Sequence, residues 1–438
     1  MTSNSRIQIC QMSDLHYSGK NLAESETCFS HAVDRAIETS AECVVVSGDS
    51  TDHALDAHSP AFVALARNIR RLADFCPVLM LQGTFSHEPP GTLSVFRLLG
   101  GRYPVFVADS IQQVALLEHG EWVASPGWRF DQLPEGTRVV FSCIPTINKA
   151  AVAAAVGANA AAEAVGEHMS KLLAGLAPTN RTAREAGIAT VVVSHGTVSG
   201  CTTEHGVPMA GLDHEFTVGS LFAAESSATM LGHIHRHQGW EQGGRTIAYA
   251  GSIGRFHYGE EGDKGMLIWS VDAEGASVAL DMTPARRTIE VRFAGVPDLD
   301  ELRGIDASGA FVKVAWEIGE EERASVDRAA IEAVLAGAAE IKLEGRIIPV
   351  VRARADGISR AQTLAEKVQH WAVVSDIDAA PLCGALAELT TTSPEAIAAE
   401  ILGSQSWPRS QVDRPVEEAA RACHVEVAGE VEPLDLFA

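Results

Sequence analysis

The sequence predicts an α/β fold, with a large sheet-based body, a small α+β unit and a C-terminal tail. Three observations carry that expectation. Short apolar runs bounded by glycine recur through the first part of the chain and read as buried strands. Stretches with apolar residues at helical spacing lie between them. Five of the runs stop at tight clusters of His, Asp and Gly, which places metal-ligand side chains at strand ends, where open α/β sheets bind ligands.

The elements follow in chain order. Residues 7–12 form an apolar run that meets Ser13-Asp14-Leu15-His16. Phe29, Ala32, Val33, Ala36 and Ile37 then share one helical face. Residues 43–46 run into Ser47-Gly48-Asp49. Ser59-Pro60 reads as an N-cap followed by proline at the first helical position, and Phe62, Leu65, Ala66, Ile69 and Leu72 make the stripe of that helix. Residues 78–81 run into Gln82-Gly83-Thr84-Phe85-Ser86-His87-Glu88. An alanine-rich helix is expected over about 148–176, ahead of the run 190–193 and its Ser194-His195-Gly196. Residues 229–231 meet Gly232-His233-Ile234-His235, and the pattern then turns β-rich at 246–250, 266–271, 277–280 and 288–293.

A smaller unit comes next. Residues 311–318 alternate as a strand, and 325–336 read as a helix stopped by Gly337. Residues 339–343 and 346–351 are expected to pair as a hairpin through Glu344-Gly345. Ala361, Leu364, Ala365 and Val368 mark another helix, and 371–374 a last strand. That β-α-β-β-α-β order is a split βαβ arrangement. Ser393-Pro394 opens a short helix to Leu402, and the acidic stretch 411–438 is either disordered or a docking segment. The expected domains are therefore 1–284, 285–380 and 381–438.

Composition sets outer bounds. At 438 residues, 46% hydrophobic and 21% charged, the chain has room for two or three ordinary globular domains. Its eight cysteines include no Cys-x-x-Cys pair, so neither a zinc knuckle nor a disulfide framework is indicated. The polar residues 1–6 lack a signal-peptide core, and no run reaches the ~18 apolar residues of a membrane span. A cytoplasmic location without membrane contact is expected. The net charge of −23 argues against a chain coated with its own basic nucleic-acid surface. It leaves a nuclease possible, because metal ions or a partner can supply positive charge.

The strand-end clusters carry the chemistry. Asp14 and His16 are two apart in an extended segment and share a face, as do His233 and His235. Oxygen and nitrogen donors without thiolate suit Mn²⁺, Fe or Zn²⁺. A carboxylate such as Asp49 can bridge two ions, and ions roughly 3.5–4 Å apart clamp both oxygens of an in-line displacement at phosphorus. Taken singly, each cluster has a plainer reading: Gly48-Asp49 is commonplace, and a lone His195 after a strand is a satisfied loop histidine. His205, His237 and His257 read as surface or supporting residues, and Trp122, Trp128, Trp240 and Trp407 as packing residues rather than base-stacking ones.

In this order, Asp14-Leu15-His16, Gly48-Asp49, Ser86-His87-Glu88, Ser194-His195-Gly196 and Gly232-His233-Ile234-His235 resemble the calcineurin-like metallophosphoesterases. Tyr249-Ala250-Gly251-Ser252, Gly259-Glu260 and Lys264-Gly265 resemble the SbcD-type nuclease subunits of bacteria and phages. The resemblance spans about residues 6–375 and implies a two-sheet sandwich flanked by helices with a capping domain. It implies two divalent metal ions, most simply Mn²⁺. Asp14, His16, Asp49 and His235 would hold the first, and Asp49, His195 and His233 the second. It further implies that His87 protonates the leaving oxygen or steadies the transition state, and that His53 reaches the scissile phosphate, although His53 stands one residue further from Asp49 than expected. Where the family has Gly-Asn-His, this chain has Gly83-Thr84-Phe85-Ser86-His87, so Ser86 or Thr84 would ligate through a hydroxyl, or a water would take the place.

Three functions compete at this stage. The first is a Mn²⁺-dependent DNA exonuclease subunit in repair or recombination, acting as a homodimer with an SbcC-like coiled-coil ATPase. The second is a stand-alone phosphodiesterase or phosphatase for small esters. The third is a catalytically weakened scaffold subunit, for which the altered 83–88 segment is the main support.

Overall fold

The computed structural model describes residues 6–99, 101–147, 158–209, 215–349, 357–358 and 360–404. The chain divides into two compact units, one ending at Pro349 and one beginning at Val350.

The first unit is built on two large sheets. In one, β1 (Ile7–Met12), β2 (Cys43–Val46), β3 (Val78–Leu81) and β4 (Val105–Ala108) lie parallel. β12 (Gly265–Val271) and β13 (Ala276–Met282) extend it antiparallel on the β1 side, in the order β13-β12-β1-β2-β3-β4. Two helices cover its outer face, α1 (Leu22–Glu38) and α2 (Pro60–Phe75). Ser59 Oγ caps α2 by accepting from Phe62 N at 3.2 Å, as the Ser-Pro pair predicted. Along the strands, Cys10, Met12, Val44, Val46, Val78 and Met80 pack among Phe29, Val33, Leu65 and Ile69 of the helices. The alternate residues Ile7, Ile9, Cys43, Val45, Leu79 and Leu81 pack against the second sheet. Burial on both faces is why these runs read as continuously apolar.

The second sheet has the order β10-β11-β9-β8-β7-β5-β6. Its strands are β5 (Gln112–Leu117), β6 (Trp122–Ala124), β7 (Thr137–Ile144), β8 (Ala189–His195), β9 (Ala228–Gly232), β10 (Gln238–Gln242) and β11 (Arg245–Tyr249). Val139, Phe141, Val191, Val193 and Met230 meet the first sheet, while Val192, Leu231, Ile247 and Tyr249 face α3 (Ala158–Glu185) and α4 (Val218–Ala223). The body is thus the expected two-sheet sandwich flanked by helices. The alanine-rich helix continues past 176 to Glu185, and residues 148–157 of the expected helix lie outside the described ones.

A third sheet follows, with β14 (Thr288–Phe293), β15 (Phe311–Gly319) and β16 (Glu340–Ile348) all parallel. It closes over its own core, in which Val312, Val314, Trp316 and Ile318 meet Leu302 of α5 (Leu299–Arg303) and Ile331 of α6 (Arg328–Val334). The split βαβ order needs two corrections. The hairpin through Glu344-Gly345 does not form, because residues 340–348 are one unbroken strand paired along β15. Gly345 sits directly across from Trp316, and a Cβ there would stand 2.7 Å from the indole. The glycine makes room for an aromatic ring and marks no turn. Residues 371–374, expected as a strand, end helix α7 (Leu364–Val374) of the second unit. Thr363 Oγ1 accepts from Glu366 N at 3.2 Å while the Glu366 carboxylate accepts from Thr363 N at 3.1 Å. That capping box starts a helix that carries the β-branched residues with it.

The second unit continues with α8 (Ala379–Thr391) and α9 (Pro394–Ser404), the latter opening at the predicted Ser393-Pro394. The acidic stretch 411–438 and Trp407 lie outside the described residues. Among the described residues, no helix is long and apolar enough to cross a membrane.

Candidate metal centre

The C-terminal ends of β1, β2 and β3 in one sheet and of β8 and β9 in the other meet at one edge of the sandwich. Buried Gln11 binds the sheets together there. Its Nε2 donates to Ser47 Oγ at 2.9 Å and to the Leu231 carbonyl at 3.0 Å, while its Oε1 accepts from Trp269 Nε1 at 3.0 Å. Beyond it the chain bends sharply. Asp14, His16, Asp49 and His233 all have left-handed backbone, with φ of 52°, 45°, 51° and 100°. Such conformations cost of order 1–3 kcal/mol each and gather at functional sites. Gly48, at φ 101°, is required twice over, since a Cβ there would stand 2.2 Å from His195 Nδ1.

These bends aim six side chains inward, in two trios. Asp14, His16 and His235 offer ligand atoms all within 4.8 Å of one another, and Asp49, His195 and His233 do the same. In the first trio, His16 Nε2 lies 2.9 Å from His235 Nε2, and His235 Nε2 lies 3.9 Å from Asp14 Oδ1. In the second, Asp49 Oδ2 lies 3.1 Å from His195 Nε2, and the His195 and His233 rings are 5.2 Å apart. His195 Nδ1 lies 2.9 Å from the Ser47 carbonyl; it must donate there, so in the neutral ring the lone pair falls on Nε2. The Asp14 carboxylate accepts from the His233 backbone N–H at 3.1 and 3.2 Å, linking the trios.

Electrostatics fit a cation site. Burial alone would raise Asp49, but the charge and hydrogen bond of His195, with His16 and His87 further out, hold its carboxyl well below the usual carboxylate range. Burial opposes protonation of His195, yet Asp49, Asp14 and the Ser47 carbonyl push it up to about 10. Burial and the neighbouring His195 lower His233. Two imidazole nitrogens facing each other at 2.9 Å need a proton or a cation between them. The outward Nδ1 atoms of His16 and His235 are buried with no hydrogen-bond partner among the described residues. They face carboxylates, His16 Nδ1 lying 3.5 Å from Asp52 Oδ1 and His235 Nδ1 3.8 Å from Glu260 Oε1. Carboxylates behind metal-binding histidines orient the rings and raise their basicity. The residues therefore fit two divalent cations of the Mn²⁺, Fe or Zn²⁺ kind.

No protein-family model matches this sequence, and no curated protein does. Solved structures similar in backbone include GAP50, the anchor in the inner membrane complex of Plasmodium, with a TM-score of 0.42 at 12% identity over 64% of this chain and 85% of that one. A dimetal phosphatase from Danio rerio gives 0.37 at 11% over 63% of this chain and 98% of its own. A predicted phosphoesterase from Streptococcus pneumoniae gives 0.22 at 12% over 63% and 99%.

The remaining predicted residues fall into place around the trios. His87 joins the site: its ring stands edge-on to His16 at 4.9 Å, and its Nδ1 lies 2.8 Å from the Asp52 carbonyl. His53 stays outside the clusters, its side chain 57% exposed and its Nδ1 3.7 Å from Asp52 Oδ2. Ser86 is exposed and lines a cavity of about 230 Å³ beside His195 and His233. It is Thr84 that stands against the second trio. Thr84 N donates to Asp49 Oδ1 at 2.6 Å, and Thr84 Oγ1 lies 3.2 Å from Asp49 Oδ2 and 3.3 Å from His195 Nε2. A neutral hydroxyl is a poorer ligand than a carbonyl oxygen. Calorimetric titration with Mn²⁺ is expected to resolve two unequal sites, with Thr84→Val weakening only the looser one, by about tenfold as for outer partners of metal ligands. Two equally tight sites would contradict this.

Sequence reasoning missed the supports behind the ligands. Asp52 backs both His16 and His87, and His16 holds its carboxyl below the ordinary range. Glu88, wholly buried, accepts from Ser50 N and Gly83 N at 2.5 Å each and so joins the loops after β2 and β3. Burial and the nearby Asp49 push its carboxyl up to about 7. Glu260 pairs at 2.6 Å with Lys264, both side chains at 0% exposure, and Lys264 Nζ also donates to the His235 carbonyl at 2.7 Å. The available signal was the Gly259-Glu260 and Lys264-Gly265 pieces that follow the His-x-His cluster.

Proposed function

We propose that this protein is a two-metal phosphodiesterase acting on DNA, a nuclease subunit in repair or recombination that works with a coiled-coil ATPase and as a homodimer. The observation that supports the hydrolytic reading is the pair of trios, six oxygen and nitrogen donors from two sheets turned into one buried edge. The DNA reading rests on the resemblance of Tyr249-Ala250-Gly251-Ser252, Gly259-Glu260 and Lys264-Gly265 to the SbcD-type nuclease subunits. The trios would hold two divalent ions, Mn²⁺ foremost, which when bound would supply positive charge for the phosphoryl oxygens and acidify an attacking water.

The chain's own residues do the rest. Asp14, His16 and His235 would hold one ion and Asp49, His195 and His233 the other, with Asp49 placed to bridge. No side-chain nucleophile is needed, so no covalent intermediate forms. The Asp52 carbonyl holds His87 through Nδ1, which leaves Nε2 for the substrate. Carrying a proton there, His87 hands it to the departing oxygen. His53, exposed beside Asp52, would reach toward the phosphate of a bound substrate.

The test is a Mn²⁺-dependent cleavage assay on labelled linear and hairpin DNA, with and without an SbcC-like coiled-coil ATPase. Cleavage that vanishes with chelator and returns with Mn²⁺ is expected. Rapid turnover of small diesters with no action on DNA would favour a small-ester phosphodiesterase instead.

A further inference from the structure

Beside the metal centre, residues of the sandwich and of the third sheet line a cleft of about 590 Å³. Phe256 and His257 line its inner end. The His257 ring lies parallel to that of His235 at 6.0 Å, and Phe256 packs on His16 at 5.2 Å. The cleft therefore lies one ring away from His16 and His235, with Phe256 and His257 between.

Its charge runs against that of the molecule. In a chain of net charge −23, its walls carry Lys20, Arg286, Arg292, Lys313 and Lys342 against Glu290 and Glu340. Three of these cations have carboxylate partners: Arg292 with Glu290 at 2.5 Å, Lys313 with Glu344 at 2.8 Å, and Lys342 with Glu344 at 2.9 Å. Such pairs are the ordinary furniture of a surface. Lys20 and Arg286 have no carboxylate partner among the described residues. Arg286 is the telling one. Its guanidinium is fixed over the Phe311 ring at 4.0 Å, and its Nε is buried with no acceptor among the described residues. A guanidinium presents five donors in a rigid fork suited to phosphate, and leaving a buried donor unmet is costly.

We propose that this cleft is a second phosphate-binding subsite, in which Arg286, helped by Lys20, holds a phosphate of the substrate chain beyond the one at the metals. This rests on the phosphodiesterase reading and narrows it. A monoester or an isolated diester has no second phosphate to offer, whereas a nucleic-acid strand has one at every step.

The experiment compares a single-stranded oligonucleotide with bis(p-nitrophenyl) phosphate, using full-length protein and Mn²⁺. Arg286→Gln is expected to raise the ratio of oligonucleotide KM to bis(p-nitrophenyl) phosphate KM about tenfold, as for loss of a charge-assisted hydrogen bond. Lys20→Gln should raise it less, and should flatten the salt dependence of oligonucleotide binding by about one unit of slope. Arg346→Gln, an exposed arginine outside the cleft, serves as control for net charge, and an equal rise there overturns the subsite. So does an unchanged ratio in both cleft variants. If Arg286→Gln does not fold, the exposed Lys20→Gln decides alone. The two readings fail separately. Wild-type protein that hydrolyses neither compound, yet binds labelled oligonucleotide by anisotropy and loses that binding in the cleft variants, upholds the subsite and overturns the phosphodiesterase. Hydrolysis of both compounds with a ratio indifferent to the cleft substitutions does the reverse.

Discussion

Asp49→Asn is expected to lower DNA cleavage by at least about 10³-fold, equivalent to about 4 kcal/mol of transition-state stabilisation. It is also expected to abolish tight Mn²⁺ binding at one site and weaken it at the other. Asp49 is the carboxylate of the second trio, with Oδ2 3.1 Å from His195 Nε2, and under the proposed function it would bridge the two ions. Asparagine preserves shape and can still accept from Thr84 N, so the loop should survive. What disappears is the negative charge that counters two cations and that pushes His195 up to about 10. Calorimetry with Mn²⁺ and a cleavage time course, alongside a melting curve showing that the fold persists, make the check. A variant that still binds two Mn²⁺ tightly would remove Asp49 from its bridging place.

His87→Gln is the complementary case, with cleavage falling about 10²–10⁴-fold, the usual worth of a positioned general acid. Mn²⁺ affinity should stay within about threefold. His87 is half-buried at the lip of the site and is held through Nδ1 by the Asp52 carbonyl rather than by either trio. Losing it removes a proton donor and leaves the cation donors in place. Unimpaired cleavage would point to the scaffold reading. Lost metal binding would instead show that His87 ligates, which its grouping with His16 and Asp52 makes geometrically feasible.

Much of this was legible in the sequence because it is local. An apolar run ending in Asp-x-His or His-x-His names both a buried strand and what stands at its end, and the six donors stand in two trios of three. What escaped depends on contacts across the fold. Asp52 and Glu260 matter only because the packed rings of His16 and His235 turn their outer nitrogens toward them. Ser86 takes the place of the expected amide in the string of residues, yet the turn in which His87 N and Glu88 N both donate to the Thr84 carbonyl brings Thr84 to Asp49 and leaves Ser86 exposed. Gly345 reads as a turn residue until the indole of Trp316 is seen lying across it. The Arg286 cleft is invisible in the sequence, since its cations come from segments far apart in the chain.

Asp14, His16 and Asp49 hang from one sheet, and His195, His233 and His235 from the other. Ions seated among them would act as rivets through both layers. At a free concentration one hundred times its dissociation constant, each rivet would add about 2.7 kcal/mol to the grip of the sandwich. Metal supply would then govern not only whether this molecule can cut but how firmly it is clasped shut, and scarcity would loosen the body as it silences the chemistry.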